Sequence, residues 1–511
     1  MSERRPEVLV IGGGATGAGI ARDLAMRGAE VLLAEAGDFA SRASGGNHGM
    51  LHSGARYAVK DPGSASECAA ENRVLKRIAS FCIEDVGGLF VSLPGDDPGY
   101  PDRFLSSCAR TGVGAREVSA AEAREREPNL TDDVAAAVEV PDGSIDPFFL
   151  VWGNVLSARE AGATALNHAP VRSIAVADGR VERAVVGRGK DERTVRPEIV
   201  VNAAGAWCGR VASMASLDLP VQVDRGTMVV FNGRVVNGLV NRLRPPSDGD
   251  ILVPHRTSTI LGTTSGPGDL DDIRPTRDDV DRLLHEAMAL LPGISGARAV
   301  RAYAGVRPLL GGQPSGRDAT RGFRVIDHGA AADNMVSVVG GKLTTYRLMA
   351  EKVSDAVMAK LGRDGGCRTA LEELVPPSRG TADDFAGRAA AGRYGGRAAE
   401  VISTGQREEA CSCEAVSMAE IEHFARTGDV RDMGDLMRRT RAGMGYCQAG
   451  LCAFRMASVL DGDPVARAGS FLAARWKGVE PVLAGQQLRQ EAFKAHLFRL
   501  YGLDHTTEGE G

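Results

Sequence analysis

The sequence predicts an α/β fold: a Rossmann-like nucleotide-binding domain, interrupted by an inserted α+β domain and followed by a small α-helical C-terminal domain. Three features of the 511-residue chain predict it. An N-terminal strand runs through a glycine loop into a helix and a second strand. Two later apolar strands also end in glycine turns, and two close pairs of cysteines lie near the C-terminus. Repeated strand-and-turn units of this kind are typical of a parallel sheet that binds ligands at the carboxyl ends of its strands.

The first strand-and-turn unit has the pattern of a dinucleotide site. The apolar run 8–11 leads into GGGATG at 12–17, then a helix expected from about 18 to 27, and a strand that ends at Glu35. In a G-x-G-x-x-G loop the glycines permit a tight turn, close approach of a pyrophosphate, and close packing of helix and strand. The helix N-terminus binds phosphate, and the acid is placed to accept ribose hydroxyls. The predicted cofactor-binding residues here are Gly12, Gly14, Ala15, Thr16, Gly17 and Glu35.

Two further turns, at 199–207 and 335–345, indicate FAD rather than NAD. Each follows a run of buried-strand character, and the second continues into a helix start that is suited to the ribityl chain and the flavin. They add Gly205, Gly340, Gly341 and Thr344 to the predicted cofactor-binding residues. The spacing of the three turns predicts one discontinuous FAD-dependent oxidoreductase unit over 1–365. Its nucleotide segments are expected at about 1–80, 150–215 and 325–365, and its substrate segments at about 81–149 and 216–324.

Four cysteines predict a metal site near the C-terminus. They form a C-x-C pair and a C-x4-C pair, Cys411 with Cys413 and Cys447 with Cys452. Four thiolates hold either a [2Fe–2S] cluster or a structural zinc ion, and the C-x-C spacing is tighter than the usual zinc pattern. Arg438, Arg439 and Arg441 precede the second pair, where they would balance the negative charge of a cluster. Gly443 and Gly445 would let backbone N–H groups approach sulfur. We therefore expect a [2Fe–2S] ferredoxin-like domain at 410–465.

The cysteine count, the net charge and the hydropathy of the sequence exclude several classes of protein. The five remaining cysteines show no pairing pattern, and an odd total of 9 favours a reducing compartment. A net charge of −5 argues against a nucleic-acid partner. We expect neither a signal peptide nor a membrane-spanning segment. Residues 366–409 read as a linker with a short helical element, and 466–511 as a C-terminal helical extension with an apolar core-packing face.

Several motifs together resemble one family, the anaerobic FAD-dependent glycerol-3-phosphate dehydrogenases, and specifically their A subunit. In the catalytic part they are IGGGATGAGIARDLAMRG at 11–28, SGGNHGMLHSGARYA at 44–58, RAYAGVRPL at 301–309 and GGKLTTYRLMAE at 340–351. In the C-terminal part they are CSCEAV at 411–416, RRTRAGMGYCQAGLC at 438–452 and RWKGVEPVLAG at 475–485. The C-terminal part is similar to bacterioferritin-associated ferredoxin. The resemblance to the dehydrogenase family covers nearly the whole chain.

The resemblance implies that sn-glycerol 3-phosphate is oxidised to dihydroxyacetone phosphate by hydride transfer to FAD. It also implies B and C subunits of a membrane-associated complex, indirect electron delivery to quinone, and a cytoplasmic location at the inner face of the cell membrane. It places Ser44 and His48 against FAD.

The substrate carries a phosphate, which requires fixed cations. The candidates are Arg56, Arg307, Arg321 and Lys342, and Tyr57 is placed to donate its hydroxyl to the same phosphate. Either His52 or Lys342 would act on the C2 hydroxyl, and we assign no sole base.

Two other functions remain open from the residues alone. An FAD-dependent amino-acid or amine dehydrogenase would have a related fold, with a carboxylate clamp in place of a phosphate site. A redox-sensing flavo-iron–sulfur protein would need no complete substrate site. One departure bears on the base: the aerobic branch has a histidine after its R-G-S/T motif, whereas here Met228 follows Arg225-Gly226-Thr227.

Overall fold

A computed structural model describes residues 3–311, 316, 319–376, 384–427 and 429–500. Parts of two predicted segments, 377–383 in the linker and 501–511 in the C-terminal extension, lie outside the described residues. Within the described ranges, no helix combines the length and apolarity that crossing a bilayer requires.

A six-stranded sheet forms the nucleotide domain. Its strands, in spatial order, are β10 (Thr164–Leu166), β3 (Val31–Ala34), β2 (Val8–Ile11), β14 (Ile199–Asn202), β22 (Met335–Gly340) and β21 (Phe323–Asp327). The first five are parallel and the last is antiparallel to its neighbour. The central strands are continuous apolar runs because both faces of the sheet are covered. The three predicted glycine turns therefore meet at the carboxyl ends of β2, β14 and β22.

One face of this sheet packs on helices and the other on a second sheet. The helices are α1 (Ala15–Met26), α5 (Pro147–Glu160) and α8 (Tyr346–Lys360). Helix α1 starts three residues earlier than the sequence predicts, because Gly14 is its N-cap and Ala15 already lies in its first turn. The opposite face is covered by β11 (Val171–Ala177), β12 (Arg180–Val186), β13 (Arg193–Val195) and β1 (Glu3–Arg4), with α6 (Cys208–Met214) beside them.

A nine-stranded, mostly antiparallel sheet forms the inserted domain. Its strands are β19 (Gly266–Pro267), β15 (Val221–Asn232), β18 (Ser258–Gly262), β17 (Ile251–His255), β16 (Leu239–Arg242), β6 (Gly88–Ser92), β8 (Ala136–Val140) and β7 (Arg116–Val118), with β20 (Ala299–Leu310) paired to β15. A three-stranded sheet of β4 (Met50–Leu51), β9 (Gly143–Ile145) and β5 (Ile83–Glu84) lies beside it. The helices of this region are α2 (Pro62–Ile78), α3 (Tyr100–Arg110), α4 (Ala120–Arg126) and α7 (Arg277–Leu290).

The C-terminal part is mainly helical. It contains α9 (Phe385–Tyr394), α10 (Ala398–Val401), the hairpin β23 (Glu409–Cys411) and β24 (Val416–Ser417), and then α11 (Met418–Arg426), α12 (Met433–Thr440), α13 (Ala453–Ser458), α14 (Pro464–Val479) and α15 (Gly485–Leu500). The segment predicted as a linker is packed where the structure describes it. Tyr394 of α9 lies 5.8 Å from the ring of Phe149 in α5 and 5.5 Å from that of Phe424 in α11.

Helix α15 does not bury an apolar face. Its buried residues are Gln487 and Lys494, whereas Leu488 and Phe493 are more than half exposed. The expected core-packing apolar face is therefore wrong for this helix. The apolar side chains of α15 are distributed around the helix and not gathered on one side, so no single face is available to pack on the core.

Candidate active site and cluster site

The glycine loop after β2 is shaped for a pyrophosphate. Gly12 has φ +109°, and a Cβ there would lie 2.6 Å from the carbonyl oxygen of Ala203. A Cβ on Gly17 would overlap the carbonyl oxygen of Gly12, so the loop and α1 pack as closely as the motif predicts. Gly14 is the N-cap of α1 and has no capping side chain of its own, so a ligand can approach the helix N-terminus closely.

Two polar side chains, Glu35 and Ser44, hold the glycine loop in place through hydrogen bonds to its backbone. The Glu35 carboxylate accepts hydrogen bonds from the backbone N–H groups of Gly13 at 2.6 Å and Gly37 at 2.8 Å. Burial raises the pKa of Glu35, and these two bonds act against that shift. Ser44 Oγ accepts from the N–H of Ala15 at 2.9 Å. Both residues also line the cavity, so each can turn to a bound cofactor.

A cavity of about 780 Å³ gathers most of the predicted site. Its wall includes Gly12, Gly14, Ala15, Thr16, Glu35, Ser44, His48, His52, Arg56, Tyr57, Gly205, Arg307, Arg321, Gly340, Gly341 and Lys342. Gly17 and Thr344 do not line the cavity but contact residues that do. Thr344 Oγ1 accepts a hydrogen bond from the backbone N–H of His52 at 3.1 Å. At Gly340 φ is +91°, and a Cβ would lie 2.5 Å from the carbonyl oxygen of Gly322. The donor groups and the glycine turns around this cavity fit FAD.

Three guanidinium groups face the substrate end of this cavity. Arg307 donates to Asp224 Oδ2 at 2.6 Å and to the hydroxyl of Thr263. Arg56 donates to Asp250 Oδ2 at 3.2 Å, and Arg321 lies 3.9 Å from Asp224.

The Nη1 atoms of Arg56 and Arg321 are buried and have no hydrogen-bond partner among the described residues. Buried donors without partners are costly, so these two nitrogens indicate a place for a bound anion.

Sequence reasoning missed the two acids that orient these cations. Asp224 and Asp250 are both nearly fully buried and lie in the inserted domain, and their partners Arg307 and Arg56 are 83 and 194 residues away in sequence. Asp224 precedes the Arg225-Gly226-Thr227 motif, which was the only local signal for it.

Two neutral histidines lie beside the cations. Burial, followed by the Arg307 and Arg56 charges, lowers the pKa of His48 to about 3. Burial, followed by His48, Arg56 and Lys342, holds the pKa of His52 well below its usual range. Nδ1 of His48 already accepts from the N–H of Met50 at 3.2 Å, whereas Nδ1 of His52 is buried without a partner in the described part of the chain. His52 therefore has the open acceptor position.

Lys342 and Tyr57 complete the polar wall. The Lys342 ammonium donates to the carbonyl of Arg321 at 2.7 Å and lies 5.3 Å from the centre of the Tyr57 ring. Burial raises the pKa of Tyr57 to about 12, so its hydroxyl stays protonated as a donor. Met228 is buried in the same wall, and Gly262 lies between it and His48.

The four predicted cluster ligands form one contiguous, buried group. Cys452 contacts Cys411, which contacts Cys413, which in turn contacts Cys447. The contact with Cys413 lowers the pKa of Cys411, but Cys452 and burial outweigh it and raise the pKa to about 12. Thiols this close are stabilised as thiolates only by a bound cation or cluster.

The surrounding backbone also fits a cluster. The N–H of Gly443 is directed at Cys411, and those of Leu451 and Gly450 at Cys447. A Cβ on Gly445 would overlap the Cβ of Cys413, which explains the glycine there.

The three arginines expected beside the cluster have other partners. Arg438 donates to Asp38 Oδ2 at 2.6 Å and Arg439 to Asp38 Oδ1 at 2.7 Å. Arg441 donates to Asp146 Oδ2 at 2.6 Å and to Glu414 at 2.8 Å. The expectation that they neutralise the cluster is wrong, because Asp38, Asp146 and Glu414 take up their charge. They join the cluster domain to the nucleotide domain instead.

The fold and the two sites define a flavin-dependent oxidoreductase with an appended iron–sulfur domain, and comparisons with known proteins agree. Residues 7–354 match the FAD dependent oxidoreductase family, and 410–461 match the BFD-like [2Fe-2S] binding domain. The chain is 43% identical to the A1 subunit of the anaerobic glycerol-3-phosphate dehydrogenase of Haloferax volcanii, with 96% of this chain and 90% of that protein covered. It is 40% identical to the A subunit of the Escherichia coli enzyme, with 98% and 97% covered. The chain belongs to the family of anaerobic glycerol-3-phosphate dehydrogenase A subunits.

A solved structure supports the fold. The glycerol-3-phosphate dehydrogenase of Bacillus halodurans, in complex with FAD, superposes with a TM-score of 0.66 at 22% identity, covering 100% of this chain and 97% of that one. The predicted fold class, the family resemblance and the pair of cofactors, FAD and [2Fe–2S], are thereby confirmed. The domain bounds and the individual site residues stay predictions.

Proposed function

We propose that this chain oxidises sn-glycerol 3-phosphate to dihydroxyacetone phosphate and passes the electrons to partner subunits. The observation that carries the substrate is the pair of buried guanidinium nitrogens of Arg56 and Arg321, unpartnered within the described residues, beside Arg307. A phosphate dianion satisfies several such donors at once, in the bidentate geometry that guanidinium favours. The relatives named as glycerol-3-phosphate dehydrogenases support the same substrate.

FAD, when bound, accepts the hydride from C2 of the substrate. The protein holds FAD with the glycine loop, Ser44, Glu35 and the turns at Gly205 and Gly340. Arg56, Arg307 and Arg321 hold the phosphate, and Tyr57 donates its hydroxyl to it. These contacts fix C2 at one depth in the cavity, and holding the reacting atoms in position in this way lowers the barrier to the reaction.

His52 takes the C2 hydroxyl proton on Nδ1. This imidazole is neutral and buried, and its Nδ1 has no hydrogen-bond partner among the described residues. Its low pKa arises in part from the Arg56 and Lys342 charges, which a bound phosphate neutralises. Substrate binding thus raises the basicity of His52 at the moment it is needed. Lys342 remains a cation that stabilises developing negative charge on the oxygen.

The cysteines Cys411, Cys413, Cys447 and Cys452 would hold the cluster, which would pass electrons to B and C subunits and from them indirectly to a membrane quinone. A [2Fe–2S] cluster, when bound, carries one electron at a time. Cys413 and Cys447 are the less buried ligands, and Tyr446, Leu451 and Phe454 next to the second pair are about half exposed or more. An apolar surface over the nearest edge of the cluster suits a docked partner. Relatives that are named as A subunits support an assembly of several chains, and association with the inner face of the membrane would follow from these partners.

Anaerobic flavin bleaching tests the substrate. The purified protein is expected to lose its flavin absorbance with glycerol 3-phosphate and to retain it with glycerol or proline. Bleaching by an amino acid but not by glycerol 3-phosphate would replace this proposal with the amino-acid dehydrogenase alternative.

A further inference from the structure

Two arginines lie between the cluster loop and the inserted domain. Arg475, in α14, is buried, and its partners are neutral: Met437 Sδ at 2.9 Å and Gln448 Oε1. Arg301, in β20, packs under the same helix, where a Cβ on Gly478 would lie 3.1 Å from its Nε. The Nε atoms of both arginines are buried and receive no hydrogen-bond partner from the residues that the structure describes.

Neither charge is balanced by a carboxylate of the described residues. The acid that acts on Arg475, Glu491, is itself paired with Lys494 at 2.7 Å. Burial and then the Arg301 charge lower the pKa of Arg475 to about 9, whereas Cys452 and Cys447 act in the opposite direction. Because removing a charge from water is costly, a buried cation of this kind requires a counter-ion. The groups positioned to supply negative charge are the cluster thiolates.

We propose that Arg475, assisted by Arg301, supplies the positive charge that balances the charge of the cluster and raises its reduction potential. A [2Fe–2S] cluster with four thiolates is negative in both redox states and gains a further negative charge on reduction. Nearby fixed cations stabilise the reduced state more than the oxidised state. The inference rests on the cluster of the proposed function and not on its substrate.

Arg301 also has contacts that lead toward the FAD cavity. The Arg301 guanidinium lies 5.9 Å from the centre of the Tyr303 ring, and the Tyr303 hydroxyl donates to the carbonyl of Asn47 at 2.7 Å. Asn47 lines the FAD cavity. Arg301 is therefore connected, through Tyr303 and Asn47, to the wall of the FAD cavity.

The test is a redox titration of the full-length holoprotein, with the cluster followed by its electron paramagnetic resonance signal. Arg475→Gln is expected to lower the midpoint potential of the cluster, and Arg475→Lys to stay near the wild-type value. The matched control is Arg455→Gln. Arg455 follows Cys452 by three residues, but its side chain is exposed and donates to the carbonyl of Glu409 at 2.9 Å. An unchanged potential in Arg475→Gln overturns the proposal.

Iron and sulfide content covers the case in which Arg475→Gln loses its cluster. Retention in Arg475→Lys with loss in Arg475→Gln supports a requirement for charge, whereas loss in both shows a packing role and overturns the proposal. Flavin bleaching by glycerol 3-phosphate, measured in the same samples, reports on the substrate separately. Its absence in the wild type would reject the proposed substrate and leave the potential measurement valid.

Discussion

Replacing Arg307 by alanine tests the phosphate site most directly. Arg307 pairs with the buried Asp224 carboxylate at 2.6 Å and faces the cavity with its side chain 30% exposed. Removing one partner of a buried charge pair costs about 2–5 kcal/mol. The partial exposure, together with the remaining Arg56 and Arg321, places the expected loss near the lower end. About 2–3 kcal/mol corresponds to a fall in kcat/KM of roughly 30- to 150-fold.

The assay is dye-coupled oxidation of glycerol 3-phosphate, with inorganic phosphate as a competitive inhibitor. Arg307→Ala is expected to weaken phosphate inhibition along with kcat/KM, and Arg307→Lys to recover only part of both, because ammonium lacks the bidentate fork. Arg225→Ala is the matched control. Arg225 lies on the adjacent strand and pairs with the buried Asp279 at 2.9 Å, but it is not part of the cavity wall that the described residues form. If Arg307→Ala and Arg225→Ala both stay within about threefold of wild type in kcat/KM and in phosphate inhibition, the assignment of Arg307 to the phosphate is wrong.

Three other perturbations give distinct outcomes. Cys447→Ser is expected to abolish or strongly alter the iron–sulfur signal and quinone reduction with the partner subunits, while flavin bleaching by glycerol 3-phosphate continues; equal retention of dye and quinone reduction would rule out the cluster as a relay. Gly17→Ala places a methyl group on the carbonyl oxygen of Gly12, so the purified variant should contain little FAD by absorbance, and normal FAD content would contradict the close packing. Burial raises the pKa of Asp142 to about 6, and one of its oxygens has no partner among the described residues. The folded protein therefore favours the protonated carboxyl, and the stability that this carboxyl contributes is present at low pH and lost as pH rises through 6. Asp142→Asn keeps the acceptor for the Ser53 N–H, so at pH 8 it should raise the free energy of unfolding by up to about 3 kcal/mol, seen as a higher melting temperature. At pH 4 it should change neither quantity. An equal effect at both pH values would contradict this reasoning.

The nucleotide half of the site could be predicted from sequence because its chemistry is local. Gly12, Gly14 and Gly17 lie within one turn, and each is required by a backbone contact that the motif encodes. Glu35 follows at the end of the next strand, so its position relative to the loop is set by two adjacent elements. The ligand cysteines were predictable for the same reason, since each close pair already sets the distance between two thiols.

The substrate half depends on contacts between distant segments, which spacing does not encode. Asp250 reaches Arg56 from nearly two hundred residues away, and no motif surrounds it. The open position on His52 Nδ1 likewise follows from the arrangement of the described residues around it in the folded cavity. The sequence could rank His52 and Lys342 only equally, whereas the geometry separates an acceptor from a cation already engaged with the Arg321 carbonyl.

The arginines before the second cysteine pair show how charge patterns mislead when partners are distant. Arg439 and Arg438 both bind Asp38, three residues beyond Glu35, and Arg441 binds Asp146, the N-cap of α5. Buried ion pairs add little net stability but make displaced arrangements costly, because any shift leaves an unpaired buried charge. They therefore hold the cluster domain in one position against the nucleotide domain, which is what electron transfer between two fixed centres requires. Since these three charges are already balanced, compensation of the cluster falls to Arg475 and Arg301, two buried cations beside the cluster loop that pair with no carboxylate in the described part of the chain.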